Sequence, residues 1–146
     1  MAPITNSVEI NRSPEEVFRY LDDLSRHDEW QSQIEKIEVL TDPPTRVGSR
    51  AKETRRVPGM SREFTYELTE HDPPRKAAFR VINGPVRPFG AVTVEPSGSG
   101  SRVTLTLDFA GHGLLGKLLA PLARRDAAKQ VPKDQALLKQ RVEAGA

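Results

Sequence analysis

The fold is decided by residues 34–111, which read IEKIEVLTDPPTRVGSRAKETRRVPGMSREFTYELTEHDPPRKAAFRVINGPVRPFGAVTVEPSGSGSRVTLTLDFAG. Short apolar or alternating runs recur along this stretch, and they predict strands at 34–40, 49–57, 62–70, 76–82, 86–95 and 102–109. Turn-forming residues such as Asn83-Gly84-Pro85 separate the runs. Strands joined by such short connections pair as antiparallel neighbours, because parallel pairing needs a crossover of about a dozen residues or more. The stretch therefore predicts an antiparallel meander.

Further elements are predicted on either side of the meander. Residues 4–10 alternate in polarity and predict a first strand. Ser13 followed by Pro14 begins a helix, since serine caps helices and proline suits their first position, and a second short helix is predicted to end at Trp30. A leucine-rich helix is predicted from residue 114 to about 142, with a kink or a break at an internal proline. We therefore predict an α+β fold in which a seven-stranded curved antiparallel sheet wraps around a long C-terminal helix, with two short helices after strand one.

Length and composition limit the possible classes of protein. The 146 residues predict one domain, spanning 1–146. The chain has no cysteine and only three scattered histidines, so we expect no metal site and no cofactor. The lack of cysteine suits a reducing compartment, and we place the protein in the cytoplasm. No apolar run approaches the roughly 20 residues of a membrane span, so no integral membrane association is expected.

The charge balance argues against a nucleic-acid partner. The chain carries 22 basic and 20 acidic residues, for a net charge of +2. Proteins that bind nucleic acid through the phosphate backbone usually have a larger basic excess. We expect a hydrophobic small molecule as the partner instead, and the sequence leaves the oligomeric state open.

A cavity is expected between the sheet and the last helix. Only 5% of the residues are aromatic, so few bulky side chains are available to fill the enclosed space. We expect a volume of about 300 Å³ or more if the cavity is functional. Tyr66 shares strand parity with Phe64 and Leu68, so its hydroxyl should point inward and could orient a ligand. The predicted lining consists of Trp30, Phe64, Tyr66, Leu105, Leu119 and Leu122.

Several short motifs occur along the chain in a fixed order and spacing. They are SPEEVF from Ser13, LDDLSRHDEW ending at Trp30, VGS from Val47, PGM from Pro58, GP at Gly84, and GHGLLG from Gly111. Together with the order of elements, they resemble the polyketide cyclase/dehydrase branch of the START-like superfamily, also called Bet v 1-like or SRPBCC. The resemblance covers nearly the whole chain, and it rests on the order and spacing of the motifs rather than on any one of them.

The resemblance implies a helix-grip architecture with an apolar pocket between the sheet and the C-terminal helix. The aromatase/cyclase members are similar in carrying a tryptophan after the first helices, which falls on Trp30, and an arginine before a Gly-Pro turn, which falls on Arg80. Where those enzymes tend to have a tryptophan, a hydroxyl residue and a second arginine, this chain has Tyr66, Leu68 and Glu70. The last helix also has Ala128 where an amide side chain is expected.

The family resemblance and the alternation of residues along the strand give opposite predictions for the orientation of Arg80. The resemblance makes Arg80 a candidate ligand-binding residue, which requires an inward side chain. Strand alternation favours the reverse, because an inward Arg80 would turn Phe79 and Val81 outward.

Three functions remain open at this stage. The preferred one is binding of a lipid-like, quinone-like or polyketide-like molecule in the cavity, with Tyr66 and Arg80 as polar anchors. The second is a polyketide cyclase/dehydratase, for which no complete catalytic constellation is visible. The third is a module that presents its sheet or its basic helix to a protein or a membrane.

Overall fold

The structure is a computed structural model that describes residues 3–146. Its elements follow one another along the chain as β1 (Ile4–Ile10), α1 (Pro14–Asp22), a 3-10 helix (Leu24–Glu29), β2 (Ile34–Val39), β3 (Arg50–Val57), β4 (Met60–Asp72), β5 (Lys76–Val81), β6 (Val86–Ser97), β7 (Gly100–Gly111) and α2 (Gly113–Glu143). The predicted strands and helices all form, with boundaries that differ from the prediction by a few residues.

The strands form one antiparallel sheet in the order β1-β7-β6-β5-β4-β3-β2. Strands β2 to β7 pair with their sequence neighbours, as the short turns require. Strand β1 adds to the far side of β7, with Val8 opposite Val103. The predicted α+β fold, with seven antiparallel strands, two short helices after strand one and a long C-terminal helix, is confirmed. Strands β1 and β2 are the two edges of the sheet.

Helix α1 begins and packs as its sequence indicates. The Ser13 hydroxyl accepts a hydrogen bond from the backbone N–H of Glu16 at 3.3 Å, and Pro14 occupies the first turn. Val17, Phe18 and Leu21 are buried on one face, which closes one end of the curved sheet. The capping hydrogen bond and the apolar stripe therefore fix both the start of the helix and the face that it buries.

Helix α2 runs without a break from Gly113 to Glu143, and the two internal prolines lie within it. Of the two predicted outcomes, a kink or a break, the break is therefore absent. The second half of the helix is anchored by Leu138 and Val142, which join the main hydrophobic core with Ile10 and Val103. In the first half, Leu114, Leu115, Leu118 and Leu122 are exposed. The helix is thus gripped by the sheet mainly through its C-terminal half.

Two glycines bring the start of α2 against the sheet. A Cβ atom added at Gly116 would overlap the carbonyl oxygen of Pro85, and one added at Gly111 would lie 2.7 Å from the Gly116 backbone. The N–H of His112 also donates to the Pro85 carbonyl oxygen at 2.8 Å. Only residues without a side chain allow this approach, so Gly111 and Gly116 fix where the helix begins relative to the β5–β6 turn.

No helix formed by residues 3–146 combines the length and the apolar character needed to span a membrane.

Candidate ligand-binding site

A cavity of about 390 Å³ lies between the concave face of the sheet and helix α2. Its walls come from α1, the 3-10 helix, strands β3 to β7 and α2, and most of the lining side chains are apolar. Apolar residues at its wall include Phe18, Leu21, Phe64, Leu68, Phe79, Val81, Val92, Leu105, Leu107, Phe109 and Leu119. The volume lies within the usual range of small-molecule sites.

The cavity opens beside the β3–β4 turn. Met60 at this turn and Leu122 on α2 both line the cavity and are both exposed, at 49% and 59% of their surface. The mouth therefore lies between the turn and the first half of α2. The mouth therefore combines these exposed apolar side chains with the guanidinium of Arg62, which lies beside Met60.

Six of the seven predicted site residues line the cavity. They are Trp30, Phe64, Tyr66, Leu105, Leu119 and Leu122. Trp30 and Tyr66 are almost fully buried, whereas Leu122 lies at the mouth. The structure thus brings these residues to one space, and their role in ligand binding stays a prediction.

Arg80 does not line the cavity, and the prediction that it anchors a ligand there is corrected. It lies opposite Glu67 in the β4–β5 pairing, and directly opposed residues share a face of the sheet. Its guanidinium donates to Glu67 Oε1 at 2.6 and 2.9 Å on the outer face, where 62% of the Arg80 side chain is exposed. Phe79 and Val81 point inward instead, because alternation places the apolar residues of β5 on the concave side.

Arg80→Ala is expected to leave ligand binding unchanged and to shift the melting temperature by no more than about 2 °C, because exposed ion pairs contribute little to stability. Titration of an apolar dye and a thermal melt of the variant check both parts. A clear loss of affinity would show that the outer-face placement of Arg80 is wrong in solution.

Two buried polar groups on residues that line the cavity have no partner. Among the described residues, Trp30 Nε1 and the Tyr66 hydroxyl are the buried side-chain nitrogen and oxygen atoms without a hydrogen bond. Trp30 is held by an edge contact with His27, and Tyr66 by one with Phe79 at 6.0 Å between ring centroids. Buried polar groups are normally satisfied, so Trp30 Nε1 and the Tyr66 hydroxyl are exceptions: both are donors enclosed by other protein atoms.

The protonation states of two residues that line the cavity follow from their burial. Burial raises the pKa of the Tyr66 hydroxyl, and the nearby Glu53 carboxylate acts in the same direction, so Tyr66 keeps its proton at neutral pH. Burial lowers the pKa of His27, whose Nε2 lies 2.8 Å from the Leu21 carbonyl oxygen. His27 is therefore neutral, and it donates from Nε2 because a carbonyl oxygen can only accept. Tyr66 is available as a donor.

Glu53 and Arg55 form an ion pair at the cavity wall, and the sequence did not predict this ion pair there. Arg55 Nε donates to Glu53 Oε1 at 2.9 Å, and its Nη2 donates to the side-chain oxygen of Gln31. Both residues line the cavity, and only 8% of Glu53 is exposed. They are two residues apart on β3 and share the inner face with Ala51. The sequence shows that Ala51, Glu53 and Arg55 lie on one face of β3. Because two of these three residues are charged, it does not show that this face is the buried one.

A second buried acid lies on α2. Asp134 accepts a hydrogen bond from Gln130 at 2.9 Å, and both residues line the cavity. Burial raises the pKa of Asp134, while the Gln130 hydrogen bond and the charge of Arg55 partly oppose this effect. Within residues 3–146, no cluster of three or more His, Cys, Asp or Glu side chains has the geometry of a metal site.

Asp134→Asn is expected to raise the melting temperature at neutral pH. Because burial raises the folded-state pKa of Asp134, the stability linked to its proton is present below the unfolded-state pKa of about 4 and is lost as the pH rises through the folded-state pKa. Asparagine stays neutral throughout. The gain should therefore be largest near about pH 7 and disappear near about pH 3 in thermal melts. A variant that is less stable than the parent at neutral pH would show that the carboxylate is stabilised by its surroundings.

The curved antiparallel sheet, the long helix that it grips and the cavity between them define the START-like helix-grip class of domains. The sequence places the chain within one family of that class. A family model described as "Polyketide cyclase / dehydrase and lipid transport" matches residues 1–143. The chain belongs to this family.

Relatives and solved structures agree with this assignment. The chain is 26% identical over 134 residues to the uncharacterized protein Rv1546 of Mycobacterium tuberculosis, covering 85% of this chain and 87% of that protein. Its structure is similar to TTHA0849 from Thermus thermophilus, with a TM-score of 0.82, 24% identity and 99% of each chain covered. It is also similar to a START superfamily protein from Mycobacterium smegmatis, with a TM-score of 0.80, 15% identity and full coverage of both chains. These structures share the fold.

Proposed function

We propose that the protein binds a hydrophobic small molecule in the cavity between its sheet and α2. The observation that carries this proposal is a largely apolar cavity of about 390 Å³, with the exposed apolar side chains of Met60 and Leu122 at its mouth. Side chains around unfilled space lack dispersion contacts on one side, and an apolar ligand would supply them. The family description, which includes lipid transport, supports the same role.

Native mass spectrometry of freshly purified protein tests this proposal. A retained molecule of a few hundred daltons, or saturable binding of the apolar dye Nile red, is the expected result. The variant Leu105→Trp, which fills part of the cavity, should lose either signal. Protein that carries no molecule and binds no dye would overturn the proposal, and would favour an interaction module that uses the exposed leucines of α2 instead.

A second candidate is a cyclase or dehydratase that uses the same cavity. The observation in its favour is a group of titratable side chains at the wall, namely Tyr66, Glu53 and Asp134. Such chemistry needs a proton donor and a base that both reach the substrate. Here Tyr66 has its proton available, while Glu53 is engaged by Arg55. Incubation of the retained molecule with the protein separates the two functions, since a carrier returns the molecule unchanged and an enzyme converts it.

A further inference from the structure

We propose that the outer side of helix α2 docks the protein on a lipid bilayer that carries anionic head groups. The docking surface has two parts, which share one side of the helix. The leucine face is formed by Leu114, Leu115, Leu118 and Leu122, and the basic stripe is formed by Arg125, Lys129 and Lys133. This inference concerns a partner other than the ligand of the cavity, and it does not depend on ligand binding.

The leucine face is an exposed apolar patch on the first half of α2. Each of its four side chains is more than half exposed, and Leu114 reaches 88%. At about 100° of rotation per residue, the four leucines point within an arc of about 100°. Soluble monomers rarely expose large apolar side chains in one contiguous patch unless that patch contacts another surface. The leucine face is therefore a candidate contact surface.

The same side of the helix continues as the basic stripe. Arg125, Lys129 and Lys133 fall within the arc of the leucines, and all three are exposed. No acidic residue within 3–146 pairs with them, since the ion pairs of α2 involve Arg124 and Lys139 instead. The stripe therefore presents three positive charges to solvent.

The acidic residues of α2 do not offset this charge on the outer side. Before Glu143 the helix has two acidic residues, Asp126 and Asp134, and both line the cavity. Asp126 accepts a hydrogen bond from Gln33 at 3.1 Å, and Asp134 is buried. The outer side of α2 is therefore apolar at its start and positively charged further along.

This order of apolar and basic residues fits the surface of an anionic bilayer. Peripheral helices insert their leucines among the acyl chains, while lysine and arginine side chains stay at the level of the head groups. Leu118 and Lys129 are 11 residues apart, so about 16 Å of helix axis separates them. A modest tilt of α2 therefore places the leucine face deeper in the bilayer than the basic stripe.

A second copy of the chain fits this surface less well. In a symmetric dimer both partners present the same surface, so a contact through α2 supplies no acidic partner for the basic stripe. Anionic lipid head groups supply that partner, and acyl chains cover the leucines.

The β3–β4 turn repeats this combination next to the leucine face. Met60 at the turn and Leu122 on α2 line the same mouth of the cavity, and both are exposed. Arg62 donates to Met60 Sδ at 3.2 Å, and Arg56 is exposed on the other strand of the hairpin. An apolar side chain flanked by arginines therefore lies on the same side of the molecule as the leucine face.

Co-sedimentation with lipid vesicles tests the proposal. The protein is expected to bind vesicles of phosphatidylcholine that contain about one third phosphatidylglycerol, and to bind pure phosphatidylcholine at least about 10-fold more weakly. The difference should shrink at high salt, because salt screens the attraction between the basic stripe and the head groups. Failure to bind the anionic vesicles at low salt would overturn the proposal.

Leu118→Gln and Arg125→Gln separate the two parts of the docking surface. Leu118→Gln removes an apolar side chain without changing the charge, and affinity for the anionic vesicles should fall at least about 5-fold. Arg125→Gln should weaken that affinity by about 5-fold and leave binding to pure phosphatidylcholine unchanged. Both residues are exposed, so both variants should melt at the temperature of the parent.

Val47→Gln and Arg75→Gln are the matched controls. Val47 precedes β3 and Arg75 follows β4, so both lie at the end of these strands opposite the β3–β4 turn. Val47 is 59% exposed, and 73% of the Arg75 side chain is exposed. Affinity for vesicles should not change in either control. Equal losses in the controls, or full affinity in Leu118→Gln or Arg125→Gln, would contradict the assignment of the surface.

Leu114→Trp reports whether the leucine face enters the bilayer. The emission of the new indole should shift to shorter wavelength with anionic vesicles, and bromine-labelled acyl chains should quench it. Trp30, the native tryptophan, is buried and should contribute little to the change. An indole at position 114 that keeps its emission in water when the protein is bound would show that the leucines do not insert.

Two further measurements distinguish other partners. Poly-L-glutamate that binds with the same dependence on Leu118 and Arg125, without binding to vesicles, would assign the surface to an acidic polypeptide. A dimer in size-exclusion chromatography that Leu118→Gln dissociates would assign it to a second copy of the chain. Either result would overturn the proposal. Leu118 does not line the cavity, so Leu118→Gln should keep its affinity for Nile red, and the test of the proposed function stays separate.

Discussion

Leu105→Trp is expected to abolish dye binding, with a loss of affinity of at least about 100-fold. Leu105 lies on β7 between Val103 and Leu107, and all three line the cavity. An indole at this position would extend into the open space that a ligand needs. Because the added atoms enter a void rather than a close-packed core, they should not lower the melting temperature as overpacking does. Titration with Nile red and a thermal melt measure both effects.

Thr106→Trp is the matched control for this substitution. Thr106 is the next residue on β7 and lines a shallow depression on the outer face of the sheet. The same indole on that face should leave dye affinity unchanged. Equal loss of binding in both variants would show that tryptophan disturbs the strand itself. Undiminished binding in Leu105→Trp would show that dyes occupy a different site.

Gly116→Val is expected to lower the free energy of unfolding by about 3 kcal/mol. Its new Cβ would overlap the carbonyl oxygen of Pro85, and neither atom can move away by rotation of a side chain, because the Cβ is fixed to the helix backbone and the oxygen belongs to the backbone. The start of α2 would have to move away from the β5–β6 turn, which would also break the hydrogen bond from His112 N–H to Pro85. Urea denaturation followed by circular dichroism gives the difference between variant and parent.

Lys117→Val controls for helix propensity, since it places the same β-branched residue at the next position. Lys117 is exposed, so this change should cost no more than about 1 kcal/mol. Similar losses in both variants would mean that the contact between Gly116 and Pro85 does not hold the helix in place.

The sheet and helices were predictable because their signals are local. Each turn of the meander is marked by residues such as Asn83-Gly84-Pro85, and a short turn permits only one pairing of its two strands. Ser13 and Pro14 likewise mark the start of α1 within two residues. The pairing of β1 with β7 depends on contacts between distant parts of the chain, and the sequence did not predict it.

The cavity was predictable in outline but not in its charges. Parity correctly grouped Phe64 with Tyr66, because apolar residues define the inner face of β4. On β3, Glu53 and Arg55 share parity with Ala51, and charged residues at inner positions contradict the usual alternation. On β5, the resemblance made Arg80 a ligand-binding candidate, whereas alternation correctly favoured its outward orientation. Two opposite charges are stable on an inner face only where their side chains contact each other. The alternation of polar and apolar residues along a strand does not show where such contacts form.

The leucines of α2 show a second feature that the sequence did not predict, namely how much of the helix the sheet covers. The helical spacing of Leu115, Leu118 and Leu122 predicts that they share one buried face, yet they are 54%, 69% and 59% exposed. The sheet covers the second half of α2, while the cavity lies beneath part of the first half. Periodicity shows which residues share a face of a helix. It does not show how far along the helix the neighbouring element extends.

The edge strand β2 has a consequence for solubility at high concentration. A sheet that is not closed into a barrel keeps an edge whose free backbone groups can recruit another chain, and this is a common route to aggregation. Here β2 is only six residues long and carries Glu35, Lys36 and Glu38, of which Glu38 pairs with Lys52. Short length and outward charge both disfavour the addition of a further strand. The protein can therefore keep its sheet open around the cavity without offering that edge as a template for fibrils.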